Sequence, residues 1–143
     1  MLQNRPYPDE TLQKLYEALQ IAPSGNNSQD FRFIFVKDEA KRREIVTRAC
    51  HQDFLLDAPV LVVAVCGKGR SFDTAIAIDH MVLSAVNEGL GACWIGWFER
   101  DVVKEILELP ESLDVPILVP LGYYEENPPA KPRKPLEQLI TTI

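Results

Sequence analysis

No apolar run in these 143 residues approaches membrane-spanning length, and no signal peptide precedes the first helical pattern. Cysteine is scarce. Cys50, Cys66 and Cys93 make an odd count without the spacing of a zinc site or a disulfide framework. That absence favours a reducing compartment, and the chain reads as cytoplasmic. Cys66 and Cys93 stand in apolar runs and read as small core residues rather than catalytic thiols. Positive charge is also short. Fifteen Lys and Arg face 21 Asp and Glu, for a net charge of -6, which argues against general affinity for nucleic acid or an anionic membrane. A local basic cluster can still hold one phosphate. No Ser/His/Asp set, metal-spaced Cys/His cluster or close carboxylate pair is visible, so no catalytic side chain and no metal ligand is assigned. An enzyme of this composition takes its chemistry from a cofactor, with the protein supplying orientation and hydrogen bonds.

What is present is ordinary for a folded protein: 46% hydrophobic and 25% charged residues. Residues 1–143 read as a single domain, long enough to bury roughly two-thirds of its unfolded surface. After a short irregular start (1–8), Asp9 and Glu10 place acid in a helix first turn, and Leu12, Leu15, Tyr16 and Leu19 repeat at helical spacing. Pro23 stops that helix after Ala22. Residues 31–36 read as a strand buried on most of its length, and Asp38 as the N-cap of a charged helix to about Ala49. Residues 51–58 are ambiguous, whereas 59–66 form an apolar strand ending in a turn at Gly67-Lys68-Gly69, which lacks the full phosphate-loop pattern.

Residues 72–88 predict a long helix, apolar nearly all round, with Asp73, His80, Ser84 and Asn87 on one stripe; it belongs in a core or a subunit interface. His80 reads as a satisfied polar residue. A glycine pair, Gly89 and Gly91, ends the helix. A short strand (92–95), a turn at Gly96-Trp97-Phe98 and a helix (99–109) stopped by Pro110 follow. Residues 115–121 read as a strand that Pro116 and Pro120 confine to an edge, a bulge or a short length. Residues 122–135 form a proline-rich extended arm, and 136–140 a last helical turn.

Three segments suit cofactor binding. Ser24-Gly25-Asn26-Asn27-Ser28-Gln29 is a polar turn between helix and strand. In Trp94-Ile95-Gly96-Trp97, the glycine lets backbone N–H groups approach a flat ring. Lys131-Pro132-Arg133-Lys134 sets three cations in a stiff context able to grip phosphate oxygens. Each has a plain alternative: an ordinary turn, a strand end, a solvated tail.

Taken in order, these segments resemble the FMN-dependent nitroreductase family. Its loop reads roughly A-P-S-x-x-N-x-Q-P-W before a strand; here it is Ala22-Pro23-Ser24-Gly25-Asn26-Asn27-Ser28-Gln29-Asp30-Phe31. QDFLLDAPVLVV from Gln52, AIAIDHMVLSAVNEGLGACWIG ending at Gly96, Gly122-Tyr123 and Lys131-Pro132-Arg133 match further family segments, so the likeness spans about residues 9–139. The resemblance implies an α+β nitroreductase-like fold, a mixed central β-sheet surrounded by helices, in an interlocked homodimer with FMN at the interface. It implies that Pro23 (through its backbone), Ser24 and Asn27 contact FMN, that Gly96 presents its N–H toward flavin N5 with Trp97 over the ring, and that Lys131 and Arg133 hold the phosphate. The implied reaction is ping-pong: NAD(P)H passes hydride to FMN and leaves, and a nitro compound, quinone or similar small-molecule acceptor takes its place.

There are two departures from the family pattern. Asp30 replaces the usual proline. The family's Arg-Arg-Ser-x-Arg-like segment before the first helix has no match in Gln3-Asn4-Arg5, so Arg5 is not assigned. Each charged hydrogen bond lost that way costs roughly 1.5–3 kcal/mol, so flavin retention is expected to be weaker than in a relative carrying that segment. Two other readings stay open: a non-catalytic flavin-binding or storage module, and a degenerate cofactor-free dimer.

Overall fold

A computed structural model describes residues 2–3 and 5–143; Met1 and Asn4, part of the expected irregular start, lie outside the described residues. The sheet is built around β3 (Val60–Gly67), paired antiparallel to β2 (Phe31–Val36) on one side and β5 (Leu113–Tyr124) on the other. Along β3, alternate residues serve two cores. Val60, Val62 and Ala64 pack with α1 (Asp9–Ile21) and α3 (Ser71–Asn87), while Leu61, Val63 and Val65 pack with α2 (Glu39–Ala49) and α4 (Arg100–Ile106). A strand covered on both faces needs an unbroken apolar sequence, and β3 has one. The architecture is therefore α+β, a central sheet between two helical layers, as the family resemblance implies. Among the described residues no helix is long and apolar enough to cross a membrane.

Several local features differ from the sequence reading. Leu2 and Gln3 are not irregular: they form β1 (Leu2–Gln3), opposite Tyr124 and Tyr123 of β5, with Leu2 buried. β2 lies at the sheet edge, so its phenylalanines are half-buried rather than buried. β5 is long and central despite its prolines. Ala64 pairs with Ile117 and Cys66 with Asp114, so Val65 faces both Val115 and Pro116, a bulge. The bulge also resets the alternation, since Val115 and Leu118 pack with α2 and α4 but Ile117 and Val119 with α1 and α3. Pro120 is harmless for a different reason. The Leu118 N–H donates to the Ile95 carbonyl, away from β3, and the two-residue repeat aims the Pro120 nitrogen the same way.

The expected strand at 92–95 is reduced to β4 (Gly91–Ala92), on β5, and an isolated bridge at Ile95. The excursion between them leaves Cys93 exposed rather than in the core, while Cys66 is buried as expected. α4 stops at Ile106, before Pro110, because Glu108 turns left-handed (φ 53°). The Glu108 and Leu109 N–H groups then bond back to the Glu105 and Lys104 carbonyls. Gly89 (φ 76°) closes α3 in the same way. Asp38 caps α2 by accepting from the Lys41 N–H at 2.8 Å, and His80 places Nδ1 2.9 Å from the Ile76 carbonyl oxygen. Asp73 is buried, and the outward face of α3 carries Phe72, Leu83 and Val86 rather than the polar stripe alone.

Candidate functional site

α1 ends where Pro23 follows the extended Ala22, and Ser24 is extended too (φ -144°, ψ 155°). The chain then makes a 3-10 turn, Gly25–Asn27, closed by Asn27 N–H to the Ser24 carbonyl (2.9 Å) and Ser28 N–H to the Gly25 carbonyl (3.1 Å). Asn26, Asn27 and Gln29 are all left-handed, with φ of 55°, 56° and 49°. Asparagine tolerates that region; glutamine does so less readily. Gln29 is held by its N–H to Ser24 Oγ (3.0 Å) and its Nε2 to the Asn27 carbonyl (3.2 Å). Pro23 and Asn27 are exposed and Ser24 half-buried. Ser24 Oγ accepts from Gln29 and keeps its own hydrogen to donate, and the Asn27 side-chain amide has no partner among the described residues. The loop thus turns polar groups outward.

The second segment is positioned by β5. Ile95 exchanges two hydrogen bonds with Leu118, at 2.9 and 3.1 Å. The next N–H, that of Gly96, points the other way and, among the described residues, makes no hydrogen bond; apart from its chain neighbours, none of them comes within 4 Å of where a Gly96 side chain would start. An exposed, unpaired N–H with open space above it can meet a flat ring edge-on. Arg100 Nη2 fixes this bend by donating to the Gly96 carbonyl (3.2 Å) and the Pro116 carbonyl (3.4 Å), with its guanidinium over the Phe98 ring. Trp97 is 68% exposed and stacks on His51. Beside His51, burial pushes the Cys50 thiol up to about 11.

Lys131 and Arg133 lie in the extended stretch after β5, exposed to solvent and, among the described residues, with no ion pair or hydrogen bond. Among the described residues no hydrogen bond or ion pair joins them to Gly96 or to the 23–29 loop. Arg5, which was not assigned, sits over the Tyr123 ring at 4.5 Å.

The first two segments both border the N-terminal half of α3, through residues that the sequence did not assign to the site. Gly25 N–H bonds to Asp73 Oδ1 at 3.1 Å. Trp94 forms a groove of about 290 Å³ with Phe72, Ala75, Ile76, Asp79 and His80. The sequence shows Asp73 only as one member of the polar stripe of an apolar helix, and nothing local marks it as the residue that the structure buries against Gly25. The Asn27 amide and the Gly96 N–H, without partners among the described residues and beside open space, fit a flat polar cofactor, and the separate Lys131 and Arg133 cations fit a phosphate.

Comparison with known proteins gives a consistent result. The profile of the Nitroreductase family matches residues 2–52 and 46–123. A protein of Thermus thermophilus named NADH dehydrogenase is 27% identical over 176 residues, covering 94% of this chain and 86% of that protein. The solved structure of a Clostridium difficile nitroreductase family protein superposes with a TM-score of 0.88 at 27% identity, covering 98% of this chain and 89% of that one. The NADPH:FMN oxidoreductase of Vibrio harveyi, solved in complex with NAD+, gives a TM-score of 0.90 at 26% identity, covering 99% of this chain and 71% of that one.

Proposed function

The chain belongs to the nitroreductase family, and from that premise we propose that it is an FMN-dependent oxidoreductase using NAD(P)H to reduce nitro compounds, quinones or similar acceptors by a ping-pong mechanism. The observation that carries this reading is the Gly96 N–H, unpaired and facing open space. FMN, when bound, supplies the redox chemistry by accepting a hydride and passing electrons on. The chain's own groups bind and orient it. Gly96 N–H would donate to the ring edge where charge collects on reduction, a fixed dipole that needs no titrating side chain. Trp97 would cover the ring and exclude water from one side. The Pro23 backbone, Ser24 and Asn27 would contact the cofactor, and Lys131 and Arg133 would neutralise its phosphate.

We place this site at the interface of a homodimer. Two features support that placement: the three segments do not meet within one chain, and the chain leaves large apolar groups in solvent. Phe72 and Trp94 are exposed at the groove beside the site, Leu83 and Val86 farther along α3, and Leu136, Leu139, Ile140 and Ile143 at the C-terminal end.

The test is an absorption spectrum after incubation with FMN and desalting, followed by NAD(P)H oxidation with and without acceptor. One retained flavin per chain and acceptor-dependent turnover are expected. Retained flavin without turnover would favour a storage role, and a colourless protein a cofactor-free one.

A further inference from the structure

The 23–29 loop is tethered by a residue outside its own neighbourhood. Asp73, 48 positions from Gly25, accepts the Gly25 N–H on Oδ1 at 3.1 Å, while its Oδ2 lies 3.6 Å from Arg70 Nη1. Among the described residues this is the only hydrogen bond between residues 23–29 and another element. Its anchor is rigid. The Asp73 side chain is only 12% exposed, in the first turn of α3, where backbone dipoles favour a negative charge, and the same helix fills a core with Ala77, Ile78 and Met81. The loop needs an anchor, because three of its side-chain-bearing residues adopt the left-handed conformation that such residues avoid. Its remaining hydrogen bonds are internal and would move with it.

We propose that Asp73 is a positioning residue for the cofactor: by holding the Gly25 N–H it presets the turn that presents Ser24 and Asn27. The inference rests on the FMN reading above and adds a residue that touches no cofactor itself. A carboxylate bonded to a backbone N–H is a strong, short-range hold. Asparagine keeps the accepting oxygen, and alanine does not.

The experiment compares Asp73→Asn, Asp73→Ala and Gly25→Pro. The last removes the donor instead of the acceptor, at the first position of a short turn after an extended Ser24, where proline's geometry fits. Two quantities are read: amide exchange at Asn27 in the flavin-free protein, and FMN affinity. Asp73→Ala and Gly25→Pro should speed Asn27 exchange and weaken FMN binding by about tenfold or more. Asp73→Asn should stay close to the parent protein, and the core amides of Ile78 and Leu118 should stay slow in all. Unchanged Asn27 exchange in Asp73→Ala would overturn the tether. A loosened loop with unchanged FMN affinity would overturn the positioning role. A parent protein that binds no FMN would instead overturn the functional reading, and the exchange data alone would then decide the tether.

Discussion

His51 and Trp97 lie ring to ring, with centroids 4.7 Å apart and planes inclined by 32°. The contact belongs to a wider seam. Cys50 bridges Phe98, the Glu99 N–H donates to the Ala49 carbonyl at 2.7 Å, and His51 Nε2 lies 3.3 Å from Glu99 Oε1. The end of α2 thereby supports the exposed indole beside Gly96. Ring pairs of this kind are worth about 0.5–1.5 kcal/mol, enough to bias one side-chain position. Trp94 is the other tryptophan of the chain, so in a Trp94→Phe background the emission reports Trp97 alone. His51→Ala should make that emission more accessible to iodide quenching. Equal quenching with and without His51 would show that the imidazole does not hold the indole.

Lys131 and Arg133 have no partners to lose among the described residues, so replacing them should leave the fold untouched. Under the proposed function each makes a charge-assisted bond to the FMN phosphate, worth about 1.5–3 kcal/mol. Arg133→Ala should therefore raise the FMN dissociation constant by about tenfold or more and release flavin on desalting, with Lys131→Ala acting in the same direction. Riboflavin, which lacks the phosphate, is the control. Its affinity should not change in either variant, and a parallel loss for riboflavin would remove these cations from the phosphate site.

Glu108 shows where sequence reading stops short. Pro110 marked the end of α4, but the helix closes earlier, on a left-handed residue that is not glycine. Glu108→Gly should stabilise the protein by about 1 kcal/mol, the order of the left-handed penalty it relieves, measured by urea unfolding; a destabilised variant would mean that the glutamate side chain matters more than its backbone. Other elements were plain from sequence because their causes are local: the apolar run of β3, the Asp38 cap, the Pro23 stop. What was hidden depends on distant partners. A proline breaks a strand pair only where its nitrogen faces that partner, and the Ile95 bridge to Leu118 shows that the Pro120 nitrogen aims away from β3. Leu2 and Gln3 are a strand only because the end of β5 lies beside them. At the candidate site, residue types marked the 24–29 loop and Gly96, but the tether to Asp73 spans 48 positions and leaves no local pattern.

The cysteines should separate by reactivity. Cys93 is exposed, whereas Cys66 is buried, and burial raises both the Cys66 and Cys50 thiols, that of Cys50 to about 11 from an ordinary value of 9.0. At neutral pH iodoacetamide should label Cys93 first, as read by peptide mass. The Cys50 shift also fixes a sign. A folded-state value above the unfolded one contributes stability fully below pH 9.0, and that contribution is lost as pH rises toward about 11. A Cys50→Ala variant should therefore show a shallower alkaline decline in urea midpoint; an identical decline would assign the alkaline sensitivity to other groups.

The outward face of α3 makes the strongest physical demand on a second chain. Ala77, Ile78, Met81 and Ala85 are buried within the chain, yet Phe72, Leu83 and Val86 on the same helix are 77%, 64% and 60% exposed. Covering a Leu or Val side chain fully is worth about 1.5–3 kcal/mol, so leaving three such groups wet along one helix favours association. Leu83→Asp combined with Val86→Asp would put two charges where that cover forms, without touching the internal core. The parent protein should sediment as a dimer at micromolar concentration. The double variant should sediment as a monomer with unchanged far-UV circular dichroism, and should fail to retain FMN if the cofactor needs both chains. A monomeric parent would sink the dimer proposal. A monomeric variant that still held FMN would keep the dimer and place the whole flavin site within one chain.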